Sequence, residues 1–124
     1  MSKHVTQAIV VHCMDFRLQK SINDWLQGTF GVGEYDRLSV AGSVFDLDFV
    51  MKQVKLSHDL HEIKKGVLIN HEDCGAYGAQ GNPQRHADDL RQAAQRIQRE
   101  IPGLDVELYY LHLDGAFEPV PHAA

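Results

Sequence analysis

Apolar positions along this chain alternate between two rhythms. Residues 5–12, VTQAIVVH, end in a continuous apolar run of the kind buried on both faces of a sheet. Leu18, Ile22, Trp25 and Leu26 then recur at helical spacing, and Gly28 is the expected stop. Residues 36–41, DRLSVA, read as a second strand ending at Gly42. Ser43 with Asp46 three residues on has the pattern of a capping box. The helix it starts buries Leu47, Val50, Met51 and Val54, and a further turn carries Leu60 and Ile63. Residues 66–70, GVLIN, form the third strand. Asn82-Pro83 opens another helix, an N-cap followed by proline at the first helical position, which runs to about Ile101 before Pro102-Gly103. Residues 106–112 are a fourth strand, and Asp114-Gly115 is a tight-turn signal for a short fifth strand through 116–120.

Strands alternating with helices predict an α/β class. The expected architecture is one domain over residues 1–124, with an open, mostly parallel four-stranded sheet flanked by helices and a possible short fifth strand. Composition fits this picture: 44% hydrophobic and 23% charged residues are ordinary for a globular fold. A net charge of -5 with no basic cluster argues against nucleic acid or an anionic membrane as partner. No apolar run approaches the roughly 20 residues of a membrane span, and the N-terminus lacks a signal-peptide pattern. The expected compartment is therefore the cytoplasm, where a stable Cys13–Cys74 disulfide is disfavoured.

Those two cysteines are the only ones in the chain, and each follows a strand. Cys13-Met14-Asp15-Phe16-Arg17 comes after the first, His71-Glu72-Asp73-Cys74-Gly75 after the third. Two thiolates and an imidazole suit zinc, and three protein ligands leave a tetrahedral ion one open position. Both motifs lie at carboxyl ends of strands, the side of an open α/β sheet where ligands bind. For Cys13 and His71–Cys74 to share an ion, the first and third strands must be neighbours. Right-handed crossovers then put the second strand beyond the first, giving the order 2-1-3-4 with its switch point at the metal site.

Cys13-x-Asp15-x-Arg17 followed by His71-x-x-Cys74-Gly75 resembles the β-class carbonic anhydrases, and residues 40–43, VAGS, resemble that family's Asn-Ala-Gly turn. The resemblance extends to the last strand and turn, residues 108–120. It implies Zn2+ held by Cys13, His71 and Cys74, with Asp15 and Arg17 as the catalytic pair. Arg17 would hold Asp15 off the metal so that the carboxylate accepts a hydrogen bond from zinc-bound water. Released, Asp15 would become the fourth ligand and close the site. It also implies a homodimer or higher homo-oligomer, as do a small core and two free sheet edges. Zinc lowers the pKa of its water from about 15.7 to about 7 in well-tuned sites, three-histidine carbonic anhydrases being the worked case. Two thiolates make a weaker Lewis acid. On extended backbone, residues 13, 15 and 17 would point to one face, about 6.6 Å apart from one to the next.

The chain departs from that family's pattern in several places. Phe16 stands where serine or alanine is usual, and Val40 where the turn has asparagine. Only about thirty residues separate Cys74 from the fourth strand, and the N-terminal arm is nearly absent. Phe16, Val40, Gly42 and Gly75 are the expected substrate pocket, made more apolar by the first two. Other groups have plainer readings. His58, His61 and Glu62 form a solvated helical face, His12 is a packed or surface histidine, and Asp73 caps a loop. Glu72 is a weak relay candidate. Gly28, Gly31 and Gly33 are a flexible turn, and Arg85, Arg91, Arg96 and Arg99 a solvated helix face.

Three functions fit. The first is zinc-dependent hydration of carbon dioxide to bicarbonate through zinc-bound hydroxide, a lyase activity. The second keeps the chemistry for another small-molecule substrate, carbonyl sulfide or carbon disulfide. The third is a non-catalytic zinc protein closed by Asp15.

Overall fold

The computed structural model describes residues 4–123. Eight elements follow the expected alternation: β1 (Ala8–His12), α1 (Gln19–Thr29), β2 (Asp36–Ser39), α2 (Leu47–His61), β3 (Lys65–His71), α3 (Pro83–Glu100), β4 (Asp105–Leu111) and β5 (Phe117–Pro119). The sheet order is β2-β1-β3-β4-β5. The first four strands are parallel, and β5 returns antiparallel to β4. The fifth strand is thus present, and β1 lies between β2 and β3 as sharing one ion between the two motifs demands.

Alternation along the strands divides the core between two faces. Ile9, Val11, Leu68, Val106 and Leu108 pack with Val50, Met51 and Val54 of α2 and with Leu90, Ala93, Ala94 and Ile97 of α3. Val10, Val67, Ile69 and Leu111 face the other way, onto Leu18 and onto Ile22 and Leu26 of α1. The result is two helices, a sheet and one helix in three layers. Trp25 extends the thinner side, stacking on Phe117 at 4.7 Å and meeting Tyr109 edge-on at 5.0 Å. No helix among the described residues is long and apolar enough to cross a membrane.

Local signals erred where several residues competed for one role. Helix α1 passes through Gly28 and ends beyond it. Gly31 takes φ +92° and donates its N–H to the Leu26 carbonyl, so the left-handed residue, not the first glycine, is the stop. Ser43 does not cap α2: it follows Gly42 in left-handed geometry, φ 54° after φ 78°, which an N-cap residue does not adopt. Asp46 caps instead, its Oδ1 accepting from Phe49 N–H at 3.3 Å. Strand β2 stops at Ser39, short of Ala41. Leu60 is exposed on α2, and Ile63 is buried only after the helix has ended. Asn82 does cap α3, accepting from Arg85 N–H at 2.8 Å ahead of Pro83.

Two histidines are buried without charge. His12 is fully buried at the end of β1, where Arg37 Nε donates to its Nε2 at 2.7 Å and its Nδ1–H reaches the Cys13 carbonyl at 2.8 Å. Burial first, then the Arg37 charge, hold it down to about 4 against the opposing pull of that carbonyl. His86 on α3 is likewise held to about 4, chiefly by burial. Both folded-state values lie below the unfolded value of about 6.5, so as pH falls the unfolded chain takes up protons first. Their contribution to the stability of the metal-free protein is expected to be full above about pH 6.5. It should fall toward pH 4 by up to about 1.4 kcal/mol per pH unit for each histidine. Equilibrium denaturation of metal-free protein at neutral and mildly acid pH measures this.

Candidate metal centre and its cavity

Strand ends β1 and β3 deliver three soft side chains to one place. One ligand atom each from Cys13, His71 and Cys74 lies within 4.8 Å of the others, and all three residues are buried. His71 ends β3, and its Nδ1–H donates to the Glu72 carbonyl at 2.6 Å. That bond fixes the tautomer and leaves the Nε2 lone pair free. Nε2 is buried and has no hydrogen-bond partner. An orphaned imidazole nitrogen between two thiols is costly unless something else binds it, and a soft divalent ion fits that donor set.

Electrostatics of the metal-free cluster set the two thiols apart. Burial raises the Cys13 thiol, but the neighbouring His71 imidazole and the N–H groups of Gly42 and Asp15 outweigh it and bring it down to about 7. The Gly42 N–H lies 3.4 Å from Cys13 Sγ. Gly42 reaches that position only as glycine: its φ is +78°, and a Cβ would sit 2.6 Å from the Phe45 Cβ. The Cys74 thiol is raised, first by burial.

Asp15 stands beside the cluster, with Oδ2 3.9 Å from His71 Nε2. The expected extended alternation of 13, 15 and 17 is replaced by a 3-10 turn over Phe16–Leu18, with Asp15 as its cap. The cause is local: Asp15 Oδ1 accepts from Arg17 N–H at 2.9 Å, which folds the chain back. Arg17 Nε and Nη2 then clamp both carboxylate oxygens, the shortest contact being 2.7 Å. This hydrogen bonding, ahead of the opposing effect of burial, holds Asp15 at about 2. Arg17 also reaches Asp73, through Nη1 to Oδ2 at 3.1 Å and Nη2 to the carbonyl at 2.9 Å. Asp73, read from sequence as a loop cap, therefore ties the two motifs together. Gln19 was missed altogether: its Nε2 donates to the carbonyls of Cys13 and Asp15. Nothing in its sequence context marks it.

A cavity of about 580 Å³ reaches the cluster at Cys13, and is lined by Cys13, Met14, Asp15, Phe16, Arg17, Ala41, Asp73, Gly75 and Ala76. Phe16 and Gly75 both line this cavity, Phe16 being 86% exposed. Val40 is a correction. It packs against the core on the α2 and α3 side, and Ala41 lines the cavity in its place. Gly42 serves through its N–H to Cys13 rather than as cavity wall. Elsewhere, His61 departs from a solvated reading: it is half-buried, its Nδ1 2.6 Å from Asp36 Oδ2, which also accepts from Ser57. Glu72 Oε1 accepts from Leu113 N–H at 2.9 Å, pinning the segment between the ligands to the end of β4. Arg85, Arg91 and Arg96 pair with Asp89, the Pro121 carbonyl, and Asp48 with Glu100.

Solved structures share this architecture. Carbonic anhydrase from Glaciozyma antarctica superposes with a TM-score of 0.70 at 14% identity, covering 98% of this chain and 85% of that one. A carbon disulfide hydrolase superposes at 0.57 and 16% identity, over 90% and 76%. An uncharacterised protein of Rickettsia bellii is 23% identical over 131 residues, 90% of this chain and 80% of that protein. A family model described as "Putative carbonic anhydrase" matches residues 3–121, nearly the whole chain and both ligand motifs. The chain belongs to that carbonic anhydrase family, as a divergent member with the β-class fold.

Proposed function

We propose that this protein hydrates carbon dioxide to bicarbonate at a zinc ion held by Cys13, His71 and Cys74. The observation that carries the reading is the buried, unpartnered His71 Nε2 facing two thiols, with a clamped carboxylate beside it. When bound, zinc would supply the Lewis acidity that makes a water reactive near neutral pH. Asp15 stays ionised throughout that range, since Arg17 holds it at about 2. Its carboxylate accepts a hydrogen bond from the reacting water and so aims the water's lone pair into the cavity. Arg17 keeps both carboxylate oxygens engaged, which favours an open site over one closed by Asp15. Met14, Ala41, Ala76 and Phe16 present apolar surface to a linear, nonpolar substrate. Stopped-flow hydration on metal-quantified protein, between about pH 6 and 9 where an activated water titrates, tests the reading. A rate proportional to zinc content is expected, and a rate equal to buffer alone refutes it.

The apolar lining also favours a second reading, hydrolysis of carbonyl sulfide or carbon disulfide by the same groups. Val40 no longer contributes to that case, because it faces the core. The two readings part on which substrate is turned over faster at equal zinc. We also read residues 1–124 as one domain acting in the cytoplasm, where free cysteine ligands such as these stay reduced.

Assembly follows from the surface. The outer edge of β2 pairs with nothing among the described residues, and Phe16, Phe45 and Phe49 stand exposed. A homodimer or larger homo-oligomer is expected. Sedimentation at micromolar concentration showing only a 14.0 kDa species would count against it.

A further inference from the structure

We propose that Asn70 and Tyr77 form a cross-link that sets the separation of His71 and Cys74, making Tyr77 a positioning residue for the metal centre. The inference rests on the metal reading above. Residues 70 and 77 bracket the two ligands in sequence, and their side chains meet: Asn70 Nδ2 donates to the Tyr77 hydroxyl at 3.0 Å. The bracket grips each ligand from its own side. Asn70 directly precedes His71 on β3, and its alternate direction points it at α3 while His71 faces away. Tyr77 N–H donates to the Cys74 carbonyl at 3.2 Å, and its ring packs in one buried cluster with Cys13 and Cys74.

Helix α3 anchors the bracket. The Tyr77 hydroxyl donates to Asp89 Oδ2 at 2.8 Å, and Arg85 Nε donates to the same oxygen at 3.0 Å. The Arg85 guanidinium also lies over the Tyr77 ring, 5.3 Å from its centre. Asn70 Nδ2 meets His86 Nδ1 at 2.9 Å, and the His86 ring stacks obliquely on Tyr77 at 4.1 Å. Proton directions are then determined. Tyr77 has one proton and gives it to Asp89, so it must accept from Asn70. Asn70 gives its second proton to His86, whose Nδ1 is an acceptor only in the neutral ring. Asn70, His86 and Tyr77 are each at least nine-tenths buried, so none of these three can easily exchange its partner for solvent. A buried tyrosine needs a partner in any fold. What exceeds that need is the placement of both ends of the bond next to ligands and of the remainder on a separate helix.

Tyr77→Phe removes the hydroxyl and keeps the ring against the cysteines. Zinc affinity is measured by competition with a chromogenic chelator, and ligand arrangement by the absorption of cobalt-substituted protein. Tyr77→Phe is expected to weaken zinc by about 10–100-fold, the range for groups that orient metal ligands, and to shift the cobalt bands. Asp89→Asn, which keeps side-chain shape, should act in the same direction by a smaller factor. The Asn70→Ala, Tyr77→Phe double variant should be little worse than the worse single one, since both cut the same link. Val54→Ala, a cavity under α2 remote from the site, should lower the denaturation midpoint and leave zinc affinity and cobalt bands unchanged. If Tyr77→Phe and Asp89→Asn both bind zinc within about twofold of wild type with unaltered cobalt bands, where about 10–100-fold is expected, the cross-link has no positioning role. A wild-type protein that takes no zinc overturns the metal reading and this inference together, whereas zinc-loaded wild type with indifferent variants overturns the cross-link alone.

Discussion

Cys74→Ser is expected to purify without stoichiometric zinc and without hydration activity, while keeping its fold. The proposed site has three protein ligands, and tight zinc sites bind with about 10–16 kcal/mol in all. Losing one thiolate therefore removes about 3 kcal/mol or more, at least about a hundred-fold in affinity. The fold should survive because the backbone role of residue 74 is untouched: its carbonyl still accepts from Tyr77 and Gly78 N–H groups. Serine also fills nearly the same small buried volume. Metal analysis and far-ultraviolet circular dichroism on the same sample separate the two effects. Zinc retained one-to-one in this variant would mean that other residues hold it.

Asp15→Asn and Arg17→Ala should both lose activity, but with different signatures. Asparagine keeps an oxygen that accepts from Arg17 N–H, so the 3-10 turn and the zinc should persist. It lacks the negative charge that orients the reacting water, and hydration is expected to fall by about 10²–10⁴-fold, the usual scale for a lost acid–base partner. Arg17→Ala instead releases a carboxylate whose Oδ2 already lies 3.9 Å from His71 Nε2. Asp15 should then move onto the metal, and cobalt absorption should change in that variant while Asp15→Asn leaves it near wild type. The pair has a defined pH range as well. Asp15 is depressed from about 3.9 to about 2, so its pairing is present above the unfolded value and is lost as pH falls through the folded one. Activity between about pH 6 and 9 should therefore show no titration of Asp15. Wild-type cobalt bands matching those of Arg17→Ala, together with absent hydration, would favour the non-catalytic reading closed by Asp15.

Much of the fold was legible in the chain because its signals are local and redundant. An apolar run at residues 8–11, helical spacing from Leu18 to Leu26 and the Asn82-Pro83 start each specify an element from within. Two cysteines placed after two strands also constrain topology, since sharing one ion requires β1 beside β3. The candidate metal cluster was readable for the same reason: few residue types bind a soft metal, and this chain has only two cysteines.

Roles that depend on what approaches from elsewhere were not readable. Whether Val40 or Ala41 faces the cavity depends on where β2 ends, and pairing with β1 ends it at Ser39. The partnership of Arg17 with Asp73 joins residues far apart in sequence. So does the link from Asn70 and Tyr77 to Asp89, whose members look like ordinary loop, core and helix positions. Sequence alone determined the elements, their order and the three soft side chains of the candidate metal cluster, because spacing and residue chemistry are properties of short segments. Only the tertiary structure decided how Asp15 is clamped, which side chains line the cavity and what holds His71 and Cys74 apart. Those features arise when helix and strand ends converge, and no short segment contains both partners.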